Sequence, residues 1–188
     1  MKPLENKIIL TFLRYAILVV VAIPNLWIFY KIFSPLTVNF TYYLFNLSLG
    51  ATLFPERIIL VSNSLSIELI DACIAGSAYY LLLILNLSTP KIRFLQRIYT
   101  ILLSFFIFLA ANVLRIFLLG YLALLNSPLF VFAHIFFWYF LSTIIIILIW
   151  FSEVKLFKIK EIPFYSDIKF FREILKPRNS KAKSKSRK

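Results

Sequence analysis

The sequence predicts an all-α polytopic membrane protein with about four transmembrane helices. Of its 188 residues, 61% are hydrophobic and only 15% are charged, whereas soluble domains are about half apolar and about a quarter charged. Several apolar runs reach the roughly 20 residues that a helix needs to cross a bilayer. The apolar composition excludes a disordered chain, and a single cysteine excludes a disulfide scaffold.

The apolar runs predict four spans within one membrane-embedded domain, residues 1–150. The spans are expected over 15–33, 72–87, 98–119 and 134–151. Pro24 and Asn25 are expected to kink the first span, as neighbouring helices allow. This span is too long for a removable signal peptide, and its amino-terminal flank lacks a small-residue cleavage site.

The flanking charges predict which side of the membrane each end occupies. Three positive residues precede the first span, three follow the second, and from Trp150 onward there are 12 Lys/Arg against 4 Asp/Glu. The positive-inside rule therefore places both termini in the cytoplasm. Residues 151–188 form a basic cytoplasmic tail that is expected to be disordered from Asn179. The tail's basic end lacks aromatic residues for base stacking, so no nucleic-acid partner is predicted. The six flanking charges are Lys2, Lys7, Arg14, Lys91, Arg93 and Arg97.

Residues 34–71 are expected to lie outside the cell. Leu36–Phe54 is apolar but contains several Thr, Asn and Ser residues, and is interpreted as an interfacial or re-entrant segment. Ile58–Val61 reads as a short strand, and apolar residues nearly alternate with polar ones from Leu65 onward. With Asn63 and Ser64 as the turn, this pattern predicts a small extracellular hairpin before the second span.

Three polar residues come to the same outer surface under this topology. Cys73 begins the second span, Arg115 lies near the end of the third, and His134 begins the fourth. An arginine inside a span costs about 2.5–3.5 kcal/mol, so its presence suggests a function. Asn112 lies one turn before Arg115 on the same helix face. These residues are therefore candidates for one polar site.

Cysteine, histidine and arginine together suit acyl transfer. A thiolate attacks a carbonyl carbon, a histidine moves the proton, and a guanidinium stabilises thiolate and oxyanion. Asp71, two residues before Cys73, would either oppose thiolate formation or orient His134. Taken singly, each residue also has a structural reading: a small buried thiol, a solvated helix-end histidine, and an arginine that reaches the interface. No metal or cofactor is predicted, because Glu68 and Asp71 lack a second histidine and no phosphate-binding motif is present.

These residues resemble the archaeosortase/exosortase family over roughly residues 57–150. The resemblance lies in Asp71-Ala72-Cys73-Ile74-Ala75-Gly76-Ser77, in Ala111-Asn112-Val113-Leu114-Arg115-Ile116, and in His134 ahead of the last span. Family members often place a small residue two after the cysteine, whereas Gly76 lies three after it. The subgroup therefore stays open.

The resemblance implies a membrane cysteine transpeptidase of exported proteins with carboxy-terminal sorting tails. Such a tail has a short motif, a transmembrane helix and a basic cluster. Cys73 would be the nucleophile, Arg115 would stabilise thiolate and oxyanion, and His134 would be the acid/base at the extracytoplasmic face. An amine, for example on a membrane lipid, would release the product. Two alternatives stay open: an intramembrane cysteine protease that only hydrolyses, and a non-enzymatic transporter or assembly subunit.

Overall fold

The computed structural model describes residues 2–23 and 25–175. This part of the chain is mostly helical and carries one small antiparallel sheet. The expected disordered end, from Asn179, lies outside the described residues. In chain order the elements are α1 (Lys2–Ala22), α2 (Trp27–Leu49), β1 (Ala51–Phe54), β2 (Ile58–Val61), β3 (Leu65–Glu68), α3 (Asp71–Ile74), α4 (Gly76–Leu87), α5 (Phe94–Leu124), α6 (Leu129–Phe136), α7 (Ser142–Leu156) and α8 (Tyr165–Leu175).

The first predicted span is not one kinked helix but the meeting of two helices. Residues 8–22 of α1 and the whole of α2 are bent by 68° relative to each other. Asn25 and Leu26 both have positive φ, at 49° and 59°, a conformation that an α-helix cannot continue through. The break therefore includes Asn25, one of the two residues at which the kink was predicted. Pro24, the other, lies outside the described residues.

The segment Leu36–Phe54 divides between a helix and a strand, and its interfacial or re-entrant position stays a prediction. Its first part continues α2, which tolerates Pro35 in its interior and ends at Gly50 with φ 72°. Its last four residues form β1, a strand that the sequence analysis missed. Glycine adopts this left-handed conformation without a Cβ clash, so Gly50 lets the chain turn from helix into strand.

The predicted hairpin is present and forms part of a three-stranded sheet ordered β1-β2-β3. Both pairs are antiparallel, with Ile59 opposite Leu53 on one side and opposite Ile67 on the other. Ser62 and Asn63 form the turn with positive φ. Ile59 and Val61 are fully buried in an apolar cluster with residues of α2 and α5, and this packing fixes the sheet beside the helices.

The second predicted span is divided into α3 and α4. Ala75 between them has φ 59° and ψ 45°, so the helix stops for one residue and starts again. Gly76 begins α4 directly against α2, where an added Cβ would lie 2.8 Å from the Tyr30 ring. The break therefore sets the short α3, which carries Cys73, apart from the longer α4.

The third and fourth predicted spans correspond to longer helices than expected. α5 covers 31 residues, and the last helical stretch begins at Leu129 rather than at His134. A π-helical turn over Phe137–Leu141 joins α6 to α7. His134 is therefore inside a helix rather than at its start, because the apolar residues 129–133 extend the helix back to Pro128, its N-cap.

One described helix, α5, is long and apolar enough to cross a membrane. The bent pair of α1 and α2 passes the same test only when taken together, and Asp71–Leu87 is apolar but shorter. This is consistent with membrane localisation.

The beginning of the basic tail folds back onto the helices. Asp167 of α8 is buried and accepts two hydrogen bonds from Arg14 of α1, at 2.9 and 3.0 Å. Arg14 also donates to the Leu87 carbonyl at the end of α4, which Arg97 contacts as well. The residues predicted to mark the cytoplasmic side thus meet at one end of the helices.

Candidate active site

Cys73, Arg115 and His134 line one cavity of about 290 Å³. β3 forms one wall of this cavity, α3 contributes Cys73, and α5 and α6 supply most of the rest, including Ile116 and Phe130. The structure thus brings together the three residues that the sequence analysis singled out from three different helical segments. Their chemical roles stay a prediction.

The half-buried Cys73 is held in place by a side chain of α5. Because the helix breaks at Ala75, the Cys73 carbonyl loses the partner that a continuous helix would give it. Asn112 replaces that partner and donates from Nδ2 to this carbonyl oxygen at 2.9 Å. Asn112 is itself buried. The expected supporting residue therefore acts on the backbone of the candidate nucleophile.

Arg115 lies one turn after Asn112 and is only 8% exposed. Its Nη1 donates to the Ser142 hydroxyl at 2.9 Å, and Ser142 in turn donates to the Phe137 carbonyl at 2.9 Å. Its Nε is buried and has no hydrogen-bond partner among the described residues. The guanidinium is thus anchored at one end through Nη1, on a residue that lines the cavity.

Ser142 is a residue that the sequence analysis missed. It begins α7 after the π-helical turn, and such turns leave carbonyl groups without their usual partner. The Ser142 hydroxyl satisfies the Phe137 carbonyl and receives Arg115 at the same time. The sequence signal that could have identified Ser142 was a hydroxyl residue inside the apolar run of the fourth predicted span.

His134 is exposed on the cavity wall formed by α6. Its ring lies against Phe130, with ring centroids 5.8 Å apart. The imidazole therefore reaches both the cavity and its surroundings, as a group that exchanges protons must.

Two side chains of opposite charge, those of Arg115 and Glu68, line the same cavity as the Cys73 thiol. A positive charge close to a thiol favours the thiolate, whereas a negative charge opposes it. Glu68, the last residue of β3, was considered in the sequence only as a metal ligand. Its position on the cavity wall makes it part of the electrostatic environment of Cys73.

Asp71 was expected to act on the Cys73 thiol or on His134, but the structure pairs it with another residue. Its carboxylate forms an ion pair with Arg57 at 2.6 Å. It lines a neighbouring cavity, of about 390 Å³, that also reaches Arg115 and Ser142 but does not include Cys73 or His134. Asp71 is thus paired with Arg57, and its expected effect on Cys73 or His134 stays a prediction.

A thiol, a buried guanidinium and an exposed imidazole around one cavity can perform nucleophilic acyl chemistry. In the part of the chain that the structure describes, no three His, Cys, Asp or Glu side chains lie close enough together to hold a metal ion. No protein-family model, curated protein or solved structure matches this chain.

Proposed function

We propose that this chain is a multi-pass membrane cysteine transpeptidase that cleaves the carboxy-terminal sorting tail of exported proteins. The observation that carries the proposal is the single cavity lined by Cys73, Arg115 and His134. The type of substrate comes from the resemblance to the archaeosortase/exosortase family. A membrane amine, for example of a lipid, is the proposed acceptor.

In the first half of the reaction the Cys73 thiolate attacks the carbonyl carbon of the scissile peptide bond. The guanidinium of Arg115 stabilises the oxyanion that forms, and a fixed donor of this kind contributes strongly to catalysis. The C–N bond then breaks, and His134 as its imidazolium gives a proton to the leaving amine. The products are a thioester on Cys73 and the released tail.

In the second half an amine attacks the thioester carbonyl. Neutral His134 accepts the proton that the amine loses, the C–S bond breaks, and Cys73 leaves as the thiolate. Atoms and charges balance over the two steps, and the enzyme returns to its starting state. Water in place of the amine would make the same site a protease.

The arrangement of the helices supports four spans with the site at the extracytoplasmic face. Cys73 lies in the short α3 that precedes α4, Arg115 lies in the second half of α5, and His134 lies within α6. Arg97 near the start of α5 and Arg14 of α1 both donate to the Leu87 carbonyl at the other end of α4. By the positive-inside rule the arginine end is cytoplasmic, so both termini are cytoplasmic and the cavity faces outward.

Exposed apolar side chains on α5 and α6 support a location in the bilayer. Phe106 is 69% exposed, Leu102 is 59% exposed, and Phe132 is 69% exposed. Soluble proteins seldom expose large contiguous apolar surfaces, whereas a lipid environment covers them. We propose that these faces contact lipid in the cell membrane.

The function is tested by co-expressing the protein with a tail-bearing exported protein from its own genome. Wild type is compared with Cys73→Ala and Cys73→Ser, and the mass of the substrate's new carboxy terminus is measured. A trimmed substrate with an added mass, absent in both variants, would support transpeptidation and identify the acceptor. Trimming without added mass would indicate a protease. Normal processing by Cys73→Ala would refute the thiol mechanism.

The topology is tested separately with single cysteines in the Cys73→Ala background. Ser64→Cys in the hairpin turn is expected to react with an impermeant maleimide on intact cells. Lys160→Cys is expected to react only after the cells are permeabilised. The reverse pattern would contradict the proposed orientation.

A further inference from the structure

The strand β3 presents an unpaired backbone edge beside the candidate site. The sheet order is β1-β2-β3, so within the described residues 2–23 and 25–175 β3 pairs with β2 alone. All four residues of β3, and Leu69 after it, line the cavity that contains Cys73. An edge strand is a template for another extended chain unless it is covered.

The register shows which backbone groups of β3 are free. Leu69 donates its N–H to the Arg57 carbonyl at 3.0 Å, and bonded and non-bonded pairs alternate along an antiparallel ladder. Ile67 and Leu65 therefore bond to β2. Ser66 and Glu68 direct their N–H and C=O groups to the free edge. These groups recur every two residues, as pairing with an additional strand requires.

The geometry points to β3 as the docking strand for the substrate polypeptide, which adds to the sheet as a fourth strand and so carries its scissile carbonyl to Cys73. This inference rests on the proposed function. The repeat of donors and acceptors at Ser66 and Glu68 matches a polypeptide backbone, and a lipid acyl chain offers no partner for either group. The occupant is therefore an extended peptide segment of the substrate.

The cavity also indicates what side chains such a peptide carries. Leu65 and Ile67 face the helices, while Ser66 and Glu68 are exposed. Alternate side chains of an added strand point to the same side as Leu65 and Ile67, where Ile116 and Leu119 line the cavity. The bound segment is therefore expected to place an apolar side chain at every second position.

Disulfide trapping tests the docking directly. Cys73 is the only cysteine, so Cys73→Ala gives a cysteine-free chain that also leaves the substrate intact. Ser66→Cys is added to it, and the substrate carries single cysteines at successive positions before the cleavage point. Directly opposed strand residues lie within the range that a disulfide spans. Cross-linking is expected at substrate positions two residues apart.

The matched control is Leu53→Cys on the outer edge of β1. Leu53 is opposite Ile59 in the same sheet, and its backbone faces away from β2 because Ser62 donates to the Gly50 carbonyl. No cross-link is expected from Leu53→Cys. The inference would be overturned if the cross-linked substrate positions were three to four residues apart, as in a helix. Equal cross-linking from Ser66→Cys and Leu53→Cys would overturn it as well.

Proline substitution gives a second measurement on the active protein. Ser66→Pro removes one edge donor without removing a bond to β2, and Pro is tolerated on such an edge. With one hydrogen bond worth about 1 kcal/mol, processing should fall roughly five- to tenfold. Ser66→Ala keeps the N–H, so it should process faster than Ser66→Pro, and Leu53→Pro on the opposite edge of the sheet should process normally.

The outcomes separate this inference from the proposed function. If wild type processes the substrate but Ser66→Pro is equally fast and no paired cross-links form, the docking strand is refuted and the transpeptidase stands. If wild type processes no substrate, the proposed function fails, and the docking inference fails with it.

Discussion

The hydrogen bond from Asn112 to the Cys73 carbonyl is predicted to set the position of the nucleophile. Asn112 and Arg115 are on the same helix, one turn apart, so Asn112 ties the short α3 to the element that carries the guanidinium. Asn112→Leu keeps a similar volume in this buried position but removes the donor. We expect the variant to fold and to process the substrate more slowly than wild type.

The expected magnitude follows from the single bond that is lost. Leaving a buried polar group without its partner costs about 1–3 kcal/mol. If the whole loss falls on the transition state, kcat/KM decreases by roughly 5- to 150-fold. The assay compares kcat/KM for tail removal with the thermal unfolding temperature in detergent, so that a loss of activity is separated from a loss of fold.

A second buried amide provides the control. Asn86 of α4 donates to the Glu153 carboxylate at 3.1 Å, and neither residue lines the cavity with Cys73. Asn86→Leu should lower the unfolding temperature about as much as Asn112→Leu does. Its kcat/KM should stay near that of wild type. The reasoning is refuted if Asn112→Leu has wild-type kcat/KM, or if Asn86→Leu loses as much activity.

Three further predictions concern the guanidinium, a buried carboxyl and the folded tail. Arg115→Lys keeps the charge but loses the planar donor set, so the rate should fall roughly 10²- to 10³-fold, and a wild-type rate would contradict the assigned role. Glu153, just beyond the last predicted span, is buried, and desolvation raises its pKa from 4.5 to about 7. The folded state then holds a proton that the unfolded state has lost, so stability should fall by about 3 kcal/mol as pH rises from 4.5 to 7; Glu153→Gln should remove this dependence of the unfolding temperature. Asp167→Asn leaves Arg14 without its carboxylate, so limited trypsin digestion should cut α8 faster than in the exposed control Glu173→Gln, and equal rates would show that the ion pair does not hold α8.

Several elements could be predicted from local patterns. The strand Ile58–Val61 follows from a β-branched and apolar run, and the turn at Asn63 follows from a residue type that tolerates positive φ. Cys73, Arg115 and His134 were expected at one end of the helices from span order and flanking charge, and they line one cavity. These features depend on nearest neighbours along the chain and on alternating helix direction, both of which are visible in the sequence.

Other features depend on contacts between residues that are distant in the chain. The missed strand β1 forms because β2 supplies its hydrogen bonds. Arg57 pairs with Asp71 from 14 residues away, and the Ser142 hydroxyl accepts a hydrogen bond from Arg115 across 27 residues. Composition and periodicity carry no signal for such partners, because a polar side chain can satisfy its hydrogen bonds in many ways until packing brings one partner close. The amino-acid pattern thus determined the elements and the end of the helices where the polar residues gather, whereas tertiary packing decided how each one is held.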